Sequence, residues 1–258
     1  MFPPQQIAIN RLSNKQGIQV GKTDYKFPHK PNSPLNCSSM REAVVLVHGI
    51  WMNGIEFWRL RQKLTRAGYE CHVFKYHVWG SSLAETAARL HEFSETIDAP
   101  VVHFVGHSLG GIVLMHLFDQ FPFTKKGRIV LLASPVNGSA VAKRLNHTSF
   151  TRWALGQSIE QGLGGGVPEW RGWRDIGTIS GSFPLGVGLF VGGLDLPHDG
   201  SVSVEETQLK GASDCVLMPV SHMGILFSAE VADQVIIFLR TGKFDEDTLT
   251  AIPDSSAA

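Results

Sequence analysis

From Ala43 onward the chain alternates short, β-branched apolar runs with longer segments whose apolar residues recur every three or four positions. The runs Ala43 to Val47, Val101 to Val105 and Ile129 to Ala133 are continuous, the pattern of strands buried on both faces of a parallel sheet. Between the first two, Phe57, Leu60, Leu64 and Ala67 share one helical face, Gly68 stops the segment, and Tyr69 to Tyr76 reads as a strand, which predicts a βαβ unit. Leu83, Ala87, Leu90, His91, Ser94 and Ile97 repeat the helical spacing after Ser81-Ser82, and Pro100 forces an extended entry into the next strand. Leu109 to Phe118 is helical again. Ile176 to Ser180 and Asp214 to Val220 predict the last strands, with Val231, Val235, Phe238 and Leu239 on the apolar side of a closing helix.

This alternation predicts an α/β fold, a mostly parallel, doubly wound sheet with helices on both faces, over residues 41–245. Two stretches depart from it. Residues 1–40 are polar, with five prolines and weak alternation around Ile7 to Val20, and read as an N-terminal arm or peripheral hairpin. Residues 138–172 lose the period, gather Gly162, Gly164, Gly165 and Gly166 with Trp153 and Trp170, and read as a cap or lid insertion. Residues 246–258 read as a disordered tail.

Composition narrows the function classes. At 258 residues and 43% hydrophobic content the chain can bury a large core. Lys plus Arg equals Asp plus Glu, at 23 each, so nothing in the net charge favours a nucleic acid or an anionic membrane. No apolar run approaches the roughly 18 residues of a membrane span, and Met1 to Gln6 lacks a charged start and apolar stretch, so a cytoplasmic location is expected. Cys37, Cys71 and Cys215 are too few and too scattered for a disulfide framework or a zinc site, and two of them fall in strands read as buried. His103 and His107 have the spacing of a helical metal pair but lie along a strand and turn, so neither metal nor cofactor is expected.

The chemistry concentrates where Val101 to Val105 runs into Gly106-His107-Ser108-Leu109-Gly110-Gly111 and then a helix. A residue on so tight a strand-to-helix turn takes unfavourable backbone angles, and the chain two residues to either side has to pack closely, which Gly106 and Gly110 permit. The turn lifts the Ser108 hydroxyl above the sheet edge and aims the N–H groups of the next helix at the same spot. Upstream, Val44 to Val47 ends in His48-Gly49-Ile50-Trp51, a strand end that frees the next N–H. Ile50 and Leu109 are therefore the candidate backbone donors of an oxyanion hole. His48 reads as bonding its loop, His107 as a packing residue. Trp51 and His107 are the candidate substrate contacts, although the six tryptophans as a class read mainly as packing.

A serine hydroxyl is a poor nucleophile until a histidine takes its proton and a carboxylate orients that histidine. Of the histidines after Ser108, only His222 follows the candidate acids beyond the strand at Ile176 to Ser180; it sits in a loop before the closing helix. Among the acids, Asp119 lies within a helix, Glu160 and Glu169 lie in the cap, and Asp175 precedes its strand. Asp195 and Asp199 remain, ahead of Glu205, Glu206 and Asp214, and Asp199 is preferred because Asp199-Gly200-Ser201-Val202 puts its carboxylate on a turn.

Taken in order, His48-Gly49-Ile50-Trp51, Gly106 to Gly111, Asp199 to Val202 and Ser221-His222 resemble the bacterial lipase and esterase branch of the α/β-hydrolase superfamily, over roughly residues 43 to 240. The resemblance implies that fold, with Ser108 as nucleophile, His222 as base, Asp199 as orienting acid and Ile50 and Leu109 as oxyanion donors. The substrate it implies is a small-molecule or lipid-like acyl ester. Acyl transfer through the same triad is the alternative chemistry, and a non-catalytic binding module the alternative class.

Overall fold

The computed structural model describes residues 41–78, 80–145, 162–186, 188, 192 and 194–245. The expected arm at 1–40 and tail at 246–258 lie outside the described residues, as do residues 146–161 of the expected cap. The described chain runs β1 (Glu42–Val47), α1 (Trp58–Arg66), β2 (Glu70–Phe74), α2 (Leu83–Glu95), β3 (Val101–His107), α3 (Leu109–Gln120), β4 (Ile129–Leu132), α4 (Ala140–Leu145), β5 (Ile176–Gly181), α5 (Val204–Thr207), β6 (Asp214–Met218) and α6 (Ala229–Thr241).

The strands form one sheet of order β2-β1-β3-β4-β5-β6, every neighbouring pair parallel, with Val45 beside Phe104 and Val105 beside Val130. Because side chains alternate along a strand, the continuous apolar runs serve two cores. Val45, Val47, Val102 and Phe104 pack with Leu83, Ala87 and Leu90 of α2 and Ile112 and Val113 of α3. On the other face Val44, Leu46, Val105 and Val130 pack with Leu60 and Leu64 of α1 and Val235 and Phe238 of α6. Full burial of each such Leu or Phe contributes about 1.5–3 kcal/mol before the entropy of ordering it. Capping fixes where the helices begin: Ser82 and Glu85 form a capping box on α2, and the Ser228 hydroxyl accepts from the Val231 N–H at the start of α6.

Several boundaries differ from the sequence reading for local reasons. β2 stops at Phe74 because the Tyr76 N–H donates to His48 Nε2 at 3.3 Å rather than to a strand. β6 stops at Met218, before Pro219, which has no N–H to donate. Cys71 is half-buried and Cys215 exposed, because β2 and β6 are the two edges of the sheet. Trp51, Trp58 and Trp173 are more than half exposed, whereas Trp170 packs edge-on against Phe118. Within the described part of the expected cap, Ala142 and Leu163 are buried against the α2–α3 core, and Val141 is buried as well. Among the described residues no helix is long and apolar enough to cross a membrane.

Candidate active site

The winding direction reverses between β1 and β3, since β1 is followed by its neighbour on one side and β3 lies on the other. Loops leaving the C-terminal ends of two such strands diverge and open a crevice. That crevice is a cavity of about 200 Å³, walled by Gly49, Ile50, Trp51, His107, Ser108 and His222 among others.

Ser108 sits between β3 and α3 with φ 53° and ψ −121°, outside the region a serine ordinarily adopts. The close packing around it fixes that geometry. A Cβ at Gly106 would lie 2.7 Å from the Gly111 backbone, and one at Gly110 only 2.1 Å from the Val47 carbonyl oxygen. Gly111 is as constrained, since a Cβ there would meet the Ser134 hydroxyl at 2.1 Å. The Ser108 N–H is spent on the Leu132 carbonyl at 2.9 Å, extending the sheet by one bond beyond β3. Leu109 opens α3, where a first-turn N–H has no carbonyl partner within the helix. Leu109 is fully buried and is not among the residues that wall the cavity, so that N–H is its one candidate link to the site.

The opposite wall is set by His48. Tyr76 donates its N–H to His48 Nε2, which requires the proton on Nδ1, and Nδ1–H donates to the Gly49 carbonyl at 2.8 Å. In a trans peptide the carbonyl and the following N–H point in opposite directions, so holding the Gly49 oxygen toward His48 turns the Ile50 N–H away from it. The ring is stacked on Tyr76, centroids 4.4 Å apart, and the Tyr76 hydroxyl donates to the His48 carbonyl at 2.8 Å. Burial pushes the His48 imidazole below its ordinary pKa, with the Gly49 bond opposing, and burial pushes the Tyr76 phenol up. This is a neutral bracket.

Asp199 and His222 are joined twice. The carboxylate Oδ2 accepts from His222 Nδ1 at 2.7 Å, and the His222 N–H donates to the Asp199 carbonyl at 2.9 Å. The second carboxylate oxygen accepts from the N–H groups of Ser201 and Val202, at 2.8 and 2.7 Å, so the turn read from the sequence locks the acid from behind. Gly200 makes that turn possible: its φ is +95°, and a Cβ would strike the Leu185 backbone at 2.2 Å. With Nδ1 donating to the carboxylate, Nε2 of His222 is the lone-pair nitrogen.

The cavity thus brings together Ser108, His222, Ile50, Trp51 and His107, with Asp199 buried behind His222. Asp195, the second choice for the acid, instead borders a separate hollow with Glu205 and Glu206. The sequence reading missed the apolar wall: Val141, Ala142 and Leu145 of α4, Leu163, and Leu185. α4 is pinned from below by Glu206, whose carboxylate accepts from the Ala140 N–H while its other oxygen caps α5. Burial raises the Glu206 pKa, with those hydrogen bonds opposing. A helix of six residues has too little period to be seen in sequence, which hid this wall.

The chain matches the model of the Alpha/beta hydrolase family over residues 44–233 and belongs to that family. No curated protein matches it. Among solved structures, the mature form of the Bacillus licheniformis lipase BlEst2 superposes with a TM-score of 0.60 at 17% identity, covering 77% of this chain and 91% of that one. The Legionella pneumophila phospholipase PlaB gives 0.62 at 14%, covering 78% and 60%. The metagenomic carboxyl esterase MGS0156 gives 0.55 at 17%, covering 73% and 67%. At such identities the likeness is one of fold, and the parallel sheet and helices described above are those of an α/β-hydrolase.

Proposed function

We propose that the protein is a serine hydrolase of carboxylic esters, working through Ser108, His222 and Asp199. The observation that carries this reading is the 2.7 Å bond from His222 Nδ1–H to the buried Asp199 carboxylate, in a loop that shares one cavity with Ser108. In the proposed reaction His222 Nε2 takes the Ser108 hydroxyl proton as Oγ attacks the ester carbonyl carbon. The carbonyl oxygen becomes an oxyanion held by the Ile50 and Leu109 N–H groups. Collapse breaks the ester C–O bond, and the leaving alkoxide takes the proton from His222. Water then repeats the sequence on the acyl-enzyme, releasing the acid and restoring Ser108.

The cavity lining supports an apolar acyl group: Val141, Ala142, Leu145, Leu163 and Met223 contribute no charge. Lipase, phospholipase and esterase structures among the fold's relatives fit the same substrate class. The test is turnover of p-nitrophenyl esters of increasing acyl length by the wild type and Ser108→Ala. Loss of roughly 10⁴-fold or more in kcat is expected for the variant. Retained turnover at wild-type rate would remove Ser108 from the mechanism.

A further inference from the structure

His107 stands beside the nucleophile, yet the reaction above gives it no task. It is completely buried, and its Nε2 lies 3.0 Å from the His222 carbonyl oxygen. A carbonyl can only accept, so Nε2 carries the proton and Nδ1 is bare. Among the described residues Nδ1 is buried with no hydrogen-bond partner. It lies against the oxyanion turn instead: a Cβ at Gly49 would stand 3.1 Å from His107 Nδ1 and 3.2 Å from Ser108 Cβ. The His107 and His222 rings are 4.8 Å apart.

One imidazole therefore touches all three pieces of the site. Its backbone precedes Ser108, its N–H holds the loop carrying His222, and its bare edge fills the space beside Gly49. We propose that His107 is a positioning residue, a permanently neutral Nε2–H imidazole that sets the distance between the nucleophile strand, the oxyanion turn and the base loop. This rests on the serine-hydrolase reading of the same site.

Neutrality follows from the surroundings. The titratable groups facing the ring are His222 and His48, with Asp199 beyond His222. Among the described residues no carboxylate bonds either of its nitrogens. A proton on Nδ1 would be a buried N–H without an acceptor, placed beside a base that must itself become cationic during turnover. Burial first, then repulsion from His222, hold the ring well below the ordinary imidazole range, against the opposing pull of the carbonyl bond. His222 is then free to be the one cation formed in the crevice.

The test compares wild type, His107→Leu and His107→Gln in ester turnover and thermal melting, with Ser108→Ala in the same assay. Leucine fills space but has no donor; the Gln amide can donate to the same carbonyl and cannot titrate. His107→Leu is expected to lower kcat about 10- to 100-fold with KM within about twofold, since small misplacements of reacting groups have effects of that order. His107→Gln should recover most of the loss. Wild-type kcat in the leucine variant, or equal losses in both variants with parallel falls in melting temperature, overturns the proposal. Either result alongside an inactive Ser108→Ala leaves the hydrolase reading standing, whereas an active Ser108→Ala removes that reading itself. Should His107→Leu not fold, imidazole nitrogen NMR of the wild type decides. An Nε2–H ring that stays neutral from pH 7 to about 5 supports the assignment, and an Nδ1–H or titrating ring overturns it.

Discussion

Strand β3 carries two buried histidines four residues apart, His103 near its N-terminal end and His107 at its C-terminal end, and their surroundings differ in kind. His103 accepts the Arg128 N–H on Nδ1 at 2.9 Å and presents Nε2 to the Glu42 carboxylate at 3.2 Å. It lies in a charged rim where Arg128 pairs with Asp175 at 3.1 Å. His107 meets a carbonyl, a second imidazole and the cavity wall. A histidine and a carboxylate in contact are thus present at both ends of one sheet. The difference lies in what else converges: only at the C-terminal ends do the strained serine, the turned Ile50 peptide and an apolar crevice meet. Place on the sheet, more than residue type, makes a site.

The sharpest way to break this comparison is to neutralise the carboxylate at each end. Asp199→Asn puts an amide donor against His222 Nδ1 and favours the wrong tautomer, so kcat should fall on the order of 10⁴-fold with the fold intact. Glu42→Gln removes the partner of His103, in a pair whose carboxylate is about two-fifths exposed, and should leave kcat unchanged. Parallel ester kinetics on the two variants check this; equal losses would mean that the two histidine–carboxylate pairs are not functionally distinct.

A smaller effect is expected at the oxyanion wall. His48→Phe keeps a ring against Tyr76 but removes the donor that holds the Gly49 carbonyl. The Ile50 peptide is then free to rotate, and kcat should drop roughly 100-fold, the usual scale for losing one oxyanion donor. The buried Tyr76 N–H also loses its acceptor, a stability cost of about 1–3 kcal/mol. Measured kcat near wild type would place the donor somewhere other than Ile50.

How much of this was legible in the sequence follows from the range of each interaction. The sheet was, because continuous apolar runs such as Val44 to Val47 need no partner to be recognised, and all the predicted strands appear. The Ser108 elbow was, because its glycine pattern is local, and so was the Asp199 turn, whose bonds reach only to Ser201 and Val202. The His48 bracket was visible only as a loop residue, since its tautomer is dictated by Tyr76, 28 positions away. The bond from His107 to the His222 carbonyl spans 115 positions and leaves no periodic trace, which is why His107 read as packing. Gly111 passed unremarked because the Ser134 hydroxyl that excludes a side chain there lies on another strand's loop.

The weakest of the expected effects separates the two ends of β3 by pH. Burial, the largest influence on each, lowers the pKa of His48, His103 and His107. For each, the unfolded chain binds a proton below the ordinary imidazole value of about 6.5 while the folded chain does not, so stability falls as pH drops through that window. Each such proton contributes a slope of about 1.4 kcal/mol per pH unit. Glu206, raised by burial, acts with the opposite sign just above the ordinary carboxylate range, and flattens the profile at the acid end. The two histidines of β3 should not share the slope equally. Glu42 supports a charge on His103 by hydrogen bond and Coulomb attraction, more strongly than Arg128 or Arg174 opposes it, whereas His222 and His48 oppose one on His107. Urea unfolding of His103→Gln and His107→Gln between pH 5 and 7 should therefore show the larger loss of pH dependence in the His107 variant. The reverse order would mean that the carbonyl bond supports a charge on His107 better than Glu42 does on His103, and the neutral character assigned to the C-terminal end of the strand would be wrong.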